Sequence, residues 1–219
     1  MLDFAFMYQC IPLFSKALYV TLYISFFGIL WSLAVGFVCA WILYFKIPYL
    51  RFLVAFYVEL ARNTPLLIQL FFLYYGLGSV IGFNLSSYTC AIVGLGFLGG
   101  GYMCESFRAG LESISHSQIE SAQSIGLKPY QMMFYVILPQ SLGVALPSIG
   151  ANVIFLLKES SLVGVIALAD IMFVAKDIVS MYAKTSEAFS MLILCYLIVL
   201  LPLSVMFSLL EGFYKRRVL

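Results

Sequence analysis

Five apolar runs alternate with short polar breaks along this chain, at residues 17–45, 52–76, 88–104, 142–169 and 188–210. Runs of about twenty residues, rising about 1.5 Å each, match the roughly 30 Å hydrocarbon core of a bilayer, so each reads as a spanning helix. The first is long enough to require tilt or protrusion. One segment, 112–140, departs from the pattern: its stretch "ESAQSIGLKPYQMMFYVILPQ" (120–140) carries Glu, Gln, Ser and Lys where flanking runs carry Leu, Val and Phe. Within it, Ile119, Ala122 and Ile125 lie three apart, which predicts a short helix over 117–125 with one apolar side. Gly126 stands where a helix ends in a positive-φ residue. Pro129 fits the first turn of a second helix over 130–138, and Pro139 limits it. The expectation is a compact protrusion hinged at a glycine; the residues alone also allow an elbow lying on the membrane surface.

Composition supports an all-α integral membrane protein with a single domain over 1–219. The chain is 63% hydrophobic and 10% charged, with a mean hydropathy of +1.05, whereas soluble domains run near one quarter charged. No basic run and A-x-A site mark a cleaved leader in the first sixteen residues, so the first span is expected to direct its own insertion. A net charge of +2 gives no reason to expect nucleic acid as a partner. Cysteines 10, 39, 90, 104 and 195 show no C-x-x-C pairing and read as small apolar residues; no metal is expected.

Basic residues set the orientation. With a cytoplasmic C-terminus, the inside segments hold Lys46, Arg51, Arg108, Lys128, Lys215, Arg216 and Arg217, against Lys16, Lys176 and Lys184 outside. That asymmetry follows the positive-inside rule. Five spans then place the N-terminus outside and 112–140 in the cytoplasm, while 176–187 becomes an external connection.

Two runs carry charge at membrane depth, where an ionised side chain costs about 2.5–3.5 kcal/mol on insertion scales. Arg62 lies eleven residues beyond Arg51, roughly 16 Å deeper at about 1.5 Å per residue. Asn63, Thr64 and Pro65 follow, and a proline three residues on predicts a local break. Lys158 and Glu159, then Ser160 and Ser161, interrupt the fourth run. Broken helices at that depth are where transporters place substrate sites. Architectural readings stay open: Glu59 and Arg62 at i, i+3, an Arg62–Glu159 pair across helices, and a local Glu105–Arg108 pair. "GLGFLGGG" (94–101) lies inside an apolar run, so Gly96-x-x-x-Gly100 predicts close helix packing rather than a nucleotide loop.

Glu120-Ser121-Ala122, then Gly126, then Val136-Ile137-Leu138-Pro139, resembles the E-A-A…G…I-x-L-P loop of ABC importer permeases, with Ser121 and Val136 as the departures. "ARNTPLLIQLFFLYYGL" (61–77) is similar to the R-G-T-P-L-L-V-Q-L stretch of polar amino-acid permeases. "GYMCESFRAGLESI" resembles their A-Y-x-A-E-x-F-R-G-G-I, and "FLLKESSLVGVIALADI" their L-L-K-D-T-S-L-x-x-x-I. The resemblance implies the type I ABC importer permease fold, with five transmembrane helices and a cytoplasmic coupling-helix loop. It further implies an inner-membrane location and two permease subunits, the second a copy or a paralogue. A cytosolic ABC ATPase would dock on Glu120, Ser121, Ala122, Gly126, Leu138 and Pro139, and an extracytoplasmic solute-binding protein would deliver the substrate.

A polar amino acid is a zwitterion. Arg62 would grip its carboxylate in bidentate fashion, with Asn63, Thr64 and Gln69 adding hydrogen bonds, while Glu159, Ser160 and Ser161 offer acceptors to the ammonium and Lys158 lines the path. No G-x-x-x-x-G-K-[ST] occurs, so the chain itself is not expected to hydrolyse ATP or hold a cofactor; ATP would be bound by the partner ATPase. An ion-coupled secondary transporter is the alternative; it would explain the intramembrane charges but not the cytoplasmic protrusion. An intramembrane hydrolase lacks H-E-x-x-H and G-x-S-x-G.

Overall fold

A computed structural model describes residues 2–77, 80, 82 and 84–218, with the side chains of 215–218 outside that description. The inside charges assigned to Lys215, Arg216 and Arg217 thus lie outside the described side chains. The elements are α1 (Phe4–Tyr44), α2 (Leu50–Asn63), α3 (Leu66–Phe71) with a π turn at Phe72–Gly76, α4 (Ser87–Glu112) and α5 (His116–Ser124). They continue with α6 (Pro129–Met132), a π turn at Met133–Ile137, α7 (Leu138–Glu159), a 3₁₀ segment at Ser160–Ile166, α8 (Ile171–Tyr182) and α9 (Thr185–Val218).

Side-chain caps explain several starts. The Asp3 carboxylate accepts from the Phe6 amide at 3.1 Å and opens α1. Ser86 accepts from Thr89 and opens α4. Asp170 accepts from the amides of Met172 and Phe173 and opens α8. Each satisfies donors that a helix N-terminus leaves without partners.

α4 is the axis of the bundle, and its glycines make it so. A Cβ on Gly96 would strike Trp31, one on Gly100 would strike Tyr57 and Val35, and one on Gly99 would stand 2.6 Å from both Ser32 Cβ and Leu156 Cδ1. The expected packing role of this stripe holds: small residues let backbones approach where lipid supplies no hydrophobic drive.

Contact pairs give each pass a direction. Gly28 meets Leu95 and Gly36 meets Met103, so α1 and α4 run parallel. Gly110 meets Ser141 while Gly99 meets Leu156, so α7 runs back. Gly143 meets Tyr214 while Gly150 meets Phe207, so α9 is antiparallel to α7. The chain between α1 and α4 must therefore return from one end of the bundle to the other, and α2 with α3 makes that pass. Among the described residues, four helical stretches are long and apolar enough to cross a membrane on their own: Phe4–Tyr44, Ser87–Glu112, Pro129–Ile166 and Thr185–Tyr214.

Three expectations need correction. α1 begins at Phe4, not near residue 17, and carries Pro12 inside it; its first turns pack Cys10 and Phe14 against Ile171, Ala175 and Ala188. Pro139 does not limit a second short helix. A π turn widens the helix at Met133–Ile137 just before it, so the missing amide and the ring are absorbed and the rod continues to Ile166. The 176–187 connection is partly the helix α8, held by the buried faces of Ile171, Ala175 and Ile178; those apolar positions outweigh the polar ones that marked it as a loop.

Candidate functional site

The predicted break falls between α2 and α3. Thr64 leaves helical geometry at φ −110°, ψ 130°, and Pro65 follows at φ −62°, ψ 139°. The Gln69 side-chain amide donates to Ala61 O at 3.2 Å, Thr64 O at 3.1 Å and Thr64 Oγ1 at 2.8 Å. It thereby satisfies carbonyls that the missing helical bonds leave open. Gln69 Oε1 itself is buried without a hydrogen-bond partner among the described residues. Thr64 Oγ1 donates to Leu60 O, and Asn63 Nδ2 donates to Glu59 O and Glu59 Oε2 at 2.8 Å. Asn63, Thr64 and Gln69, expected to touch substrate, are thus engaged in holding the break.

Arg62 is freed by it. Its Nη1 stands 3.9 Å from Glu105 Oε1, and its guanidinium carbon lies 5.5 Å from the centre of the Tyr102 ring. Glu105 Oε2 accepts from Arg108 Nη2 at 2.6 Å, and Arg108 Nη1 reaches Glu112 at 3.1 Å. The local Glu105–Arg108 pair is present. Arg62 pairs with Glu105 rather than with Glu59 or Glu159 among the described residues. A tight pair and a loose one share a single carboxylate, and the Arg62 side chain remains 38% exposed. Its unfilled donors can take a second anion.

The second interruption also forms. α7 ends at Glu159, and the 3₁₀ segment follows with Ser160 fully buried, its hydroxyl donating to Leu157 O at 2.8 Å. Lys158 is exposed and Glu159 half-buried; neither forms an ion pair among the described residues. The two breaks adjoin, because Leu66 and Leu70 share one core with Val163 and Ile166. Ser160 faces that core, while Ser161 lines a cleft beside α8.

One polar cluster escaped the sequence reading. Asn152 Nδ2 donates to Ser106 Oγ at 2.9 Å and Tyr102 O at 3.3 Å, and Ser106 and Ser148 hydroxyls lie 2.7 Å apart. It locks α4 to α7 at Ser106, the residue that follows Glu105. A lone Asn within an apolar run was the available signal.

At the opposite end from Ser160, α5 closes as expected. Gly126 has φ +81°, its amide donates to Gln123 O, and the Leu127 amide donates to Ala122 O, a Schellman closure. Ala122 is buried, Glu120 and Ser121 are exposed, and Leu138 and Pro139 are half-buried at the foot of α7. Gln118 Nε2 donates to Gln140 Oε1 at 2.8 Å and ties α5 to α7. Ile125 stands 77% exposed at the tip.

The bundle thus carries a charged break beside its central helix and a glycine-closed helix at one end. Residues 32–218 match the family of binding-protein-dependent transport system inner membrane components, and the chain belongs to that family. It is 37% identical to a probable amino-acid ABC transporter permease protein (PatM) of Vibrio harveyi, over 89% of this chain and 88% of the relative. To a probable glutamine ABC transporter permease protein (GlnP) of Bacillus subtilis (strain 168) it is 38% identical over 81% of each chain. Its backbone matches a chain from the crystal structure of an amino acid ABC transporter with histidines at a TM-score of 0.88 and 32% identity, covering 97% of this chain and 99% of that one. An inward-facing methionine ABC transporter, MetNI, shares the fold at 0.79 with 17% identity, over 94% and 98%. The chain is an ABC importer permease, and the ion-coupled alternative is set aside.

Proposed function

We propose that this chain carries polar amino acids as zwitterions across the inner membrane, with Arg62 holding the carboxylate and the 159–161 turn receiving the ammonium. The work comes from a cytosolic ATPase subunit, which binds ATP and docks on α5 and the foot of α7. A solute-binding protein meets the opposite face, and a second permease subunit completes the pathway. The N-terminus lies outside and the C-terminus in the cytoplasm. The relatives described as amino-acid and glutamine permeases support the substrate class.

One observation carries this reading. The foot of α7 and the second break belong to a single helical stretch, Pro129–Ile166, of 38 residues. At about 1.5 Å per residue it spans roughly 57 Å, so a push that α5 passes to the foot of α7 is carried along one continuous helical stretch to Ser160. Gln118–Gln140 is the bond that couples tip to rod.

Ile125→Asp tests it in proteoliposomes holding this chain, its ATPase and its solute-binding protein. The residue is exposed, so the bundle stays folded while the apolar contact with the ATPase is lost. ATP-driven uptake should fall to background. Undiminished uptake with ATP, or uptake driven by an ion gradient without it, contradicts the reading.

A further inference from the structure

At the end of the rod remote from α5, the 3₁₀ segment and α8 enclose a cleft of about 340 Å3. Its floor is apolar, from Leu162, Val165 and Phe173, and three polar side chains reach it: Ser161, Lys176 and Asp177. The volume lies at the small end of ligand pockets, the size of a metabolite rather than a peptide. Neither Lys176 nor Asp177 forms an ion pair among the described residues, although Lys184 and Asp3, at the same end, pair at 3.0 Å.

Adjacent residues on a helix point about 100° apart. Lys176 and Asp177 therefore leave α8 in different directions while both line the cleft, offering opposite charges to it. Their support is firm: Asp170 caps α8, and Ala175 and Ile178 are buried beneath it. The charge pattern is selective. A simple anion meets Asp177, a simple cation meets Lys176, and only a ligand bearing both charges is matched at both positions.

We propose that this cleft is an outer receiving subsite for an amino-acid zwitterion, with Lys176 taking the α-carboxylate, Asp177 the α-ammonium and the apolar floor the side chain. The proposal rests on the reading that the chain carries zwitterions and turns this end outward. Ser161 joins the cleft to the break, since Ser160, its neighbour, is already buried in the core beside α3. A substrate held here is one step from the Arg62 site, and both charged partners differ from those of that site.

The test is equilibrium binding of tritiated L-glutamine and L-arginine to the full chain in lipid nanodiscs, without ATPase or ATP. Two sites per chain are expected. K176Q/D177N should weaken one of them by about tenfold or more, as loss of charge-assisted hydrogen bonds does, and leave the other. Arg62→Ala should do the converse, and N-acetyl-L-glutamine, which lacks the ammonium, should not compete at the Lys176 site. The swap K176D/D177K keeps both charges and should retain measurable outer binding, which separates lost recognition from lost folding. Absence of binding, binding unchanged by K176Q/D177N, or a change confined to docking of the solute-binding protein overturns the proposal. A single site that K176Q/D177N weakens and Arg62→Ala leaves intact would contradict the central site and leave the outer one standing.

Discussion

Arg62 and Glu105 face each other at 3.9 Å across α2 and α4, while Arg108 holds the other oxygen of the same carboxylate at 2.6 Å. Under the proposed role of Arg62, Glu105 is a competitor that a substrate carboxylate would displace without leaving Glu105 bare, because Arg108 keeps it.

Glu105→Gln removes that competitor. A half-exposed pair contributes at most about 1 kcal/mol, so substrate should bind up to about fivefold tighter. Release should slow, and ATP-driven uptake should fall at saturating substrate. Binding isotherms beside initial uptake rates read both effects; weaker binding in the variant would show that Glu105 itself contacts the substrate.

The glycine stripe of α4 predicts a sharp contrast between two alanine substitutions. At Gly99 the new methyl would sit 2.6 Å from Ser32 Cβ and Leu156 Cδ1, so Gly99→Ala should destabilise by about 1–3 kcal/mol. At Gly143 the nearest atom is Tyr214 Cδ1 at 3.6 Å, an ordinary contact, and Gly143→Ala should stay within about 0.5 kcal/mol. Thermal unfolding of the detergent-solubilised protein measures both.

Gly126 separates backbone demand from space. Its φ is +81° and a Cβ would meet nothing within 4 Å. Any loss on substitution is therefore conformational, about 1–2 kcal/mol for an ordinary residue. Gly126→Asn should keep most ATP-coupled uptake, because Asn tolerates this region, and Gly126→Val should lose most of it. Equal loss in both would point to a steric requirement supplied by the docked partner.

The clamp at the start of α1 responds to acid. The Phe6 amide and then Lys184 hold the Asp3 carboxyl below its ordinary value, and Asp3 in turn raises Lys184. A depressed carboxylate stabilises above its unfolded value and loses that contribution as pH falls through its folded one. Lys184, raised, keeps its contribution below the ordinary lysine range and loses it only at strongly alkaline pH. Amide exchange in the first turn of α1, corrected for intrinsic rate, should accelerate on acidification through the carboxylate range. Asp3→Asn keeps a cap and should remove part of that dependence, the rest belonging to Glu187, which its own amide and then the Asp3 amide hold below its ordinary value.

Much of the architecture was legible because membrane insertion imposes length and polarity rules on a chain. Thr64-Pro65 announced a break because a proline removes a helical amide just after a run of polar residues, Lys158-Glu159 because charge at membrane depth is costly, and Gly126 announced a turn because positive φ favours glycine. Pro139 misled, since its cost depends on whether the preceding turn can widen, and Met133–Ile137 does so through packing that spacing does not encode. α8 was hidden by its charges, although Asp170 ahead of an apolar stretch was a readable cap. Glu105 as the partner of Arg62 needed the register of α2 on α4, which Gly101 sets by admitting Ala61 and Arg62 beside it.

The central claim is that Arg62 holds the substrate through its α-carboxylate. ATP-driven uptake of L-glutamine should be compared in wild-type and Arg62→Ala proteoliposomes, each challenged with the α-amide of glutamine as competitor. The account predicts that the amide competes poorly in the wild type, and that Arg62→Ala lowers uptake by about tenfold or more and abolishes the preference. Strong competition by the amide in the wild type, or a preference that survives in Arg62→Ala, would contradict it.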